Sequence, residues 1–240
     1  MRIAVVSDVH GNRVAFQAVL ADLRQTAPDI VIHGGDLAEG GSHPAEIIDQ
    51  IRCLGWPGVY GNTDEVFWTF DGLHDLFSKQ PRLGSLLKII EEQAATASAW
   101  VGEERIQWLK SLPLRYSHEL VTVVHAGPDN VWRSPMHDAG DEELEKVYAP
   151  LNANIVVYGH IHRPYVRKLQ GFTVANSGSV TLSYDGDTRA SYLLIDGENV
   201  NIRRVEYDLD KAEQDLIASG LPHAEWVCRV LRAGRYIPPG

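Results

Sequence analysis

Cysteine is nearly absent from this chain: only Cys53 and Cys228 occur in 240 residues. Two thiols build neither a Cys-rich zinc site nor a disulfide framework, and low cysteine use fits a reducing compartment. Basic residues are also scarce, 22 against 32 acidic ones, for a net charge of −10. Wrapping duplex DNA needs clustered cations, so no duplex nucleic acid partner is expected. A small phosphate substrate stays compatible, because a bound metal reverses the local field. No apolar run approaches the ~20 residues of a membrane span. The run at residues 3–6 is too short for a signal-peptide core. A cytoplasmic protein with no membrane partner is therefore expected. Repeats, low-complexity tracts and Pro/Ser-rich linkers are missing too, which favours one domain over residues 1–240.

What is present is a recurring pattern. Short runs rich in Val and Ile end in glycine beside a residue type that binds metals. Ile3-Ala4-Val5-Val6 leads into Ser7-Asp8-Val9-His10-Gly11-Asn12, and Asp29-Ile30-Val31-Ile32 leads into His33-Gly34-Gly35-Asp36. Val59-Tyr60 precedes Gly61-Asn62-Thr63-Asp64, and residues 120–124 precede His125-Ala126-Gly127. Ile155-Val156-Val157-Tyr158 precedes Gly159-His160-Ile161-His162. Such runs suit strands buried on both faces. Residues 14–25 and 44–54 carry apolar positions at helical spacing. Strand–helix–strand alternation predicts an α/β fold whose sheet starts parallel. Ligands of such sheets bind beyond the carboxyl ends of the strands.

Residues from roughly 67 to 113 break the rhythm and read as a helical insert, either a lid or a helical pair completing one face of the sheet. Residues 190–195 and 199–206 flank the turn Asp196-Gly197-Glu198 and predict a hairpin. A helical C-terminal appendage is expected from roughly 207 to 240.

Seven residues at the predicted strand ends carry oxygen or imidazole ligands: Asp8, His10, Asp36, Asn62, His125, His160 and His162. Mixed carboxylate and imidazole ligation suits manganese, iron, zinc and similar divalent ions. Seven ligands exceed the need of one open catalytic ion and fit two ions sharing a carboxylate. Each residue alone has a plainer reading. Asp8 or Asp36 reads equally well as a helix cap, and Asn62 as the turn after Gly61. The pair His160-Ile161-His162 behind Gly159 is the sharpest signal.

The order Asp-x-His, Gly-Asp, Gly-Asn, His, Gly-His-x-His from Asp8 to His162 resembles the calcineurin-like metallophosphoesterases. Its Gly-Asn-x-Asp third motif and the stretch Asn176-Ser177-Gly178-Ser179-Val180 resemble the small bacterial phosphodiesterases of that superfamily. The resemblance implies a four-layer α/β/β/α sandwich. It also implies two divalent ions, with manganese favoured and iron, zinc, nickel or magnesium as alternatives. Asp8, His10 and His162 would hold the first ion, Asn62, His125 and His160 the second, and Asp36 would bridge. Hydroxide from metal-activated water would then attack phosphorus in a small, nucleotide-like phosphodiester. Asp64 is a candidate to orient the histidines.

Two departures bear on the substrate. Phosphoprotein phosphatases of this superfamily carry histidine after Gly-Asn, where this chain has Thr63. They also carry a phosphate-gripping arginine after Gly-Asp. Here Gly35-Asp36-Leu37-Ala38-Glu39-Gly40-Gly41 has none. Diesters are therefore favoured over phosphoproteins, and the general acid is unassigned. Asn12, Arg13 and Arg163 are candidate phosphate contacts. His33 reads as a core histidine or as a replacement acid. Phe67-Trp68 is a candidate flank for a substrate base, and residues 141–145 read as a solvated helix start. A rival reading is a non-catalytic scaffold of the same fold, resembling the retromer subunit, against which all seven ligand positions are filled. A mononuclear non-haem iron oxygenase is disfavoured by the surplus ligands.

Overall fold

Alternation of side chains along the strands decides how the layers stack. The structure, a computed structural model, describes residues 1–78 and 83–239. The chain opens with β1 (Arg2–Val6), α1 (Arg13–Thr26), β2 (Ile30–His33) and α2 (Pro44–Leu54). Four helices follow: α3 (Asn62–Glu65), α4 (Asp71–Ser78), α5 (Gly84–Val101) and α6 (Glu103–Ser111). Next come β3 (Arg115–His118), β4 (Val121–Val124), α7 (Asp141–Tyr148), β5 (Ile155–Tyr158), β6 (Tyr165–Lys168) and β7 (Thr173–Asn176). The hairpin of β8 (Ala190–Asp196) and β9 (Asn199–Val205) precedes α8 (Leu209–Ser219) and α9 (Ala224–Ala233).

Two sheets result, ordered β2-β1-β8-β9 and β3-β4-β5-β7-β6. β1 and β2 pair in parallel, as do β4, β5 and β7, while β8 joins β1 antiparallel. Ile3 and Val5 of β1 meet Val121, Val123, Ile155 and Val157 of the other sheet in one buried cluster. Ala4 and Val6 point the other way, into a cluster with Phe16, Val19, Ile47 and Ile51 of α1 and α2. This period-two split is what a strand buried on both faces requires. On the far side, Leu144 and Tyr148 of α7 cover Val156 and Tyr158 of β5. The order is helix, sheet, sheet, helix, as the resemblance implies.

Local chemistry sets the helix ends. The Asn12 side chain accepts the Ala15 N–H at 3.0 Å and caps α1. Ala27, at φ 46°, ends it in a left-handed turn.

One expectation needs correction. Val59-Tyr60 is not a strand; only an isolated bridge from His33 to Gly58 forms there. The helical C-terminal appendage consists of two helices, because Gly220 caps α8 at φ 76° and Pro222 follows. Part of the helical insert completes one face of the first sheet. Val101, Ile106 and Leu109 pack on the helical layer of the first sheet, while the start of α5 reaches elsewhere. Residues 79–82 of that insert lie outside the described residues. Among the described residues, no helix is long and apolar enough to cross a membrane.

Candidate metal centre

The loops after β1, β2, β4 and β5 leave the carboxyl ends of parallel strands and converge. The Asp8 N–H donates to the Gly35 carbonyl at 3.0 Å, and the His10 N–H to the Asp36 carbonyl at 3.0 Å. The two sheets are tied across the same point. The Asp8 carboxylate accepts the His160 N–H at 3.2 Å, and its carbonyl accepts the Ser179 hydroxyl at 2.9 Å.

These loops hold unusual backbone. Among the described residues nine non-glycine positions have positive φ, and Asp8, His10, Asp36, His160 and His162 are five of them. Left-handed backbone costs an L-residue of order 1 kcal/mol or more and persists where surroundings enforce it. Packing enforces it here. A Cβ on Gly61 would collide with Asp36 Oδ1, and one on Gly159 with Asp8 Oδ2 and Ser7 Oγ. The glycines of these motifs are therefore places where backbone touches the site.

Two groups of polar atoms meet through Asp36. On one side, His162 Nε2 lies 3.0 Å from Asp8 Oδ1 and 3.3 Å from His10 Nε2, which is 3.7 Å from Asp36 Oδ2. Ligand atoms of Asp8, His10, Asp36 and His162 all fall within 4.8 Å of one another, and all four residues are buried. On the other side, Asn62 Oδ1 lies 2.8 Å from both His125 Nε2 and His160 Nδ1, and His125 Nε2 is 3.4 Å from Asp36 Oδ1.

The tautomers explain why this arrangement suits cations. His10 Nδ1 donates to the Glu39 carbonyl at 2.8 Å, and His162 Nδ1 to the Leu182 carbonyl at 2.6 Å. Carbonyls only accept, so both Nδ1 atoms carry hydrogen in the neutral rings and both Nε2 atoms present lone pairs. Those lone pairs face each other across 3.3 Å. A divalent ion satisfies that geometry, and a carbonyl behind each ring is the usual way to orient a ligating histidine. His125 Nδ1 is held likewise by the Gly34 carbonyl at 2.8 Å.

At Asp8, His10 and His160 the electrostatics agree. Burial lowers His10 despite the attraction of Asp36, and burial with His125 beside it pulls His160 down to about 4. Both stay neutral and free to ligate at pH 7. Burial pushes Asp8 up, but His162 and then the other histidines outweigh it and hold the carboxylate below its ordinary range.

The family model of the calcineurin-like phosphoesterase superfamily domain matches residues 1–200. The chain belongs to that superfamily. An uncharacterized protein of Methanocaldococcus jannaschii is 28% identical, the match covering 97% of this chain and 98% of the relative. A metallophosphoesterase structure from Sphaerobacter thermophilus superposes with a TM-score of 0.80 at 25% identity, over 98% of this chain and 100% of that one. A symmetrical bis(5'-nucleosyl)-tetraphosphatase of Nitrosococcus oceani is 31% identical over 61% of this chain and 51% of its own.

In this calcineurin-like chain the side chains of Asn12, Asp64 and His33 each have a structural role. Asn12 spends its side-chain oxygen on capping α1. Among the described residues Asp64 hydrogen-bonds no histidine. Its carboxylate instead accepts the N–H groups of Asp36 at 2.8 Å, Leu37 at 2.9 Å and Gly61 at 2.9 Å, which makes it a positioning residue for two loops. His33 is fully buried beside Trp108, with ring centroids 6.1 Å apart, and does not line the cavity over the site. Burial lowers it to about 4, so it is a neutral core histidine at pH 7. Arg13 pairs with Glu46 at 3.0 Å, and neither Arg13 nor Arg163 lines the cavity. Phe67 and Trp68 pack against the core instead of flanking the site.

Sequence reasoning missed the braces and the walls. Asn176 donates to the Gly159 carbonyl at 2.6 Å, and the Ser179 hydroxyl accepts the N–H groups of Thr181 and Leu182. The Asn-Ser-Gly-Ser stretch was their signal. The walls had none, because Leu86, Ile90, Tyr184, Trp226 and Tyr236 reach the cavity from distant segments.

Buried His33 makes a stability prediction. The unfolded chain protonates this imidazole below about pH 6.5, whereas the native ring resists until about 4. Unfolded chains thus bind more protons in that window, and stability falls as pH drops through it. His33→Leu is expected to shrink the difference in urea unfolding free energy between pH 7 and pH 5 by about 2 kcal/mol. An unchanged difference would show that His33 titrates normally in the native state.

Proposed function

We propose that this protein is a phosphodiesterase working with two divalent ions. Asp8, His10 and His162 would hold one ion, Asn62, His125 and His160 the other, and Asp36 would bridge them. The observation that carries this reading is the pair of imidazole lone pairs turned toward each other beside Asp8 and Asp36. Divalent ions so held lower the pKa of water toward neutrality and neutralise charge on the attacking and leaving oxygens. The chain's own part is to fix the imidazole tautomers through backbone carbonyls and to hold Asp36 and Asn62 through Asp64. A cavity of about 170 Å³ lies above the polar floor. Manganese is the favoured ion among those that mixed carboxylate and imidazole ligation suits.

Two features support diesters over monoesters. Thr63 stands where a proton-donating histidine would follow Gly-Asn, and no Lys or Arg among the described residues lines the cavity. A monoanionic diester needs less cationic support than a dianionic monoester. The bis(5'-nucleosyl)-tetraphosphatase relative supports a small phosphate ester as the substrate class. We read residues 1–240 as a single domain in a reducing, cytoplasmic setting.

The test compares bis(p-nitrophenyl) phosphate with p-nitrophenyl phosphate on protein loaded with Mn²⁺. The diester is expected to have a kcat/KM at least about tenfold higher, the scale of one well-placed polar contact. Preference for the monoester would contradict the reading.

Gly159→Ala provides a structural check. The new Cβ falls on Asp8 Oδ2 and Ser7 Oγ, so the carboxylate must move. Mn²⁺ affinity is expected to drop about 10–100-fold, as when a supporting contact is lost. Calorimetric titration with Mn²⁺ reads this directly, and unchanged affinity would detach Asp8 from the ion.

A further inference from the structure

Above the polar floor the cavity changes character. Leu86 and Ile90 of α5, Trp226 of α9, Tyr184 and Tyr236 form its apolar walls. Tyr184 stacks on His162 with centroids 4.7 Å apart and planes 22° apart, and its N–H donates to the His162 carbonyl at 3.0 Å. Its ring is thus fixed to a residue of the floor. Tyr236 meets Tyr184 edge to face at 6.1 Å and 73°. The Trp226 indole N–H donates to the Ile237 carbonyl at 2.8 Å and pins the segment that carries Tyr236. The α5 wall is braced against the same region: Gln93 donates to the Pro222 carbonyl at 2.8 Å, and His223 pairs with Glu92 at 2.7 Å.

Rings and aliphatic side chains offer flat apolar faces, so apart from the tyrosine hydroxyls these walls give a phosphate oxygen little to bind. The volume of about 170 Å³ falls below the ~300–1,000 Å³ of pockets for drug-sized ligands. A polar floor under such walls suits a ligand with a phosphate at one end and one compact ring at the other.

Resting on the phosphodiesterase reading, we propose that Tyr184 and Tyr236 are specificity-determining residues that bind a single aromatic group esterified to the substrate phosphate. The substrate class is then a small phosphodiester bearing one compact ring. Alkyl esters of the same charge leave the walls unfilled and bind less tightly.

The test uses inert analogues, so it does not depend on turnover. Mn²⁺-loaded protein is titrated calorimetrically with phenylphosphonate and with methylphosphonate, and hydrolysis of bis(p-nitrophenyl) phosphate is followed in parallel. Wild type is expected to bind phenylphosphonate at least about tenfold more tightly, the scale of one aromatic contact with its buried area. That ratio should fall toward one in Tyr236→Ala and Tyr184→Leu and persist in Tyr236→Phe, which keeps the ring. A wild-type ratio near one overturns the proposal, as does a ratio that survives both substitutions. If the ratio behaves as expected but the diester is not cleaved, the aromatic site stands and the phosphodiesterase reading fails. Cleavage without phenylphosphonate preference leaves that reading intact and removes the aromatic site. Failure of both phosphonates to bind also overturns the aromatic site.

Discussion

Replacing Asp36 by asparagine will reduce diester hydrolysis by about 10³-fold or more, the scale on which loss of one electrostatic stabiliser acts. The reason lies in its position between the two groups of ligand atoms. Oδ1 accepts the Thr63 N–H at 2.9 Å and lies 3.4 Å from His125 Nε2, while Oδ2 lies 3.7 Å from His10 Nε2. Asparagine keeps the shape and can keep the bond from Thr63. It loses the negative charge and turns an NH₂ donor toward one imidazole lone pair, so one carboxylate no longer serves both sides. Bound Mn²⁺ per chain should fall below two, with far-UV circular dichroism unchanged. Full turnover at wild-type metal content would remove Asp36 from the bridge.

The second large effect is on stability. Asp64→Ala strips three buried backbone N–H groups of their acceptor, those of Asp36, Leu37 and Gly61. Each buried donor left unpaired costs about 1–3 kcal/mol. Relief of repulsion offsets part of that, since burial and the Asp36 charge push Asp64 up to about 7. A net loss of about 3–5 kcal/mol is expected in urea unfolding of metal-free protein at pH 8, among the larger values for a single substitution. Working without metal separates the hydrogen bonds from any loss of ion binding. Asp64→Asn, which keeps one acceptor oxygen, should lose less. A loss under about 1 kcal/mol for the alanine variant would mean that water replaces the carboxylate.

Much of this was legible in the residues. Val and Ile at 3–6, 30–32 and 155–157 marked strands buried on both faces, and the family's motif order fixed which loops would meet. Gly61 and Gly159 were visible as motif members, but their reason, contact with Asp36 and Asp8, needs three dimensions. Asp64 lies in the expected neighbourhood, but its hydrogen bonds go to backbone. A carboxylate two residues after Asn62 reads as a histidine support, whereas the turn into α3 aims it at backbone N–H groups. His33 has the sequence context of its neighbours, yet its position at the end of β2 turns it into the core. The aromatic walls were illegible because their spacing spans α5, the loop at Tyr184 and the C-terminal segment. No local periodicity links positions that far apart.

The most direct test is a titration of metal-stripped protein with Mn²⁺, following hydrolysis of bis(p-nitrophenyl) phosphate at each step. The account predicts no turnover without metal, a rise that reaches its plateau at two ions per chain, and full reversal by EDTA. A plateau at one ion per chain, or turnover that survives EDTA, would contradict it.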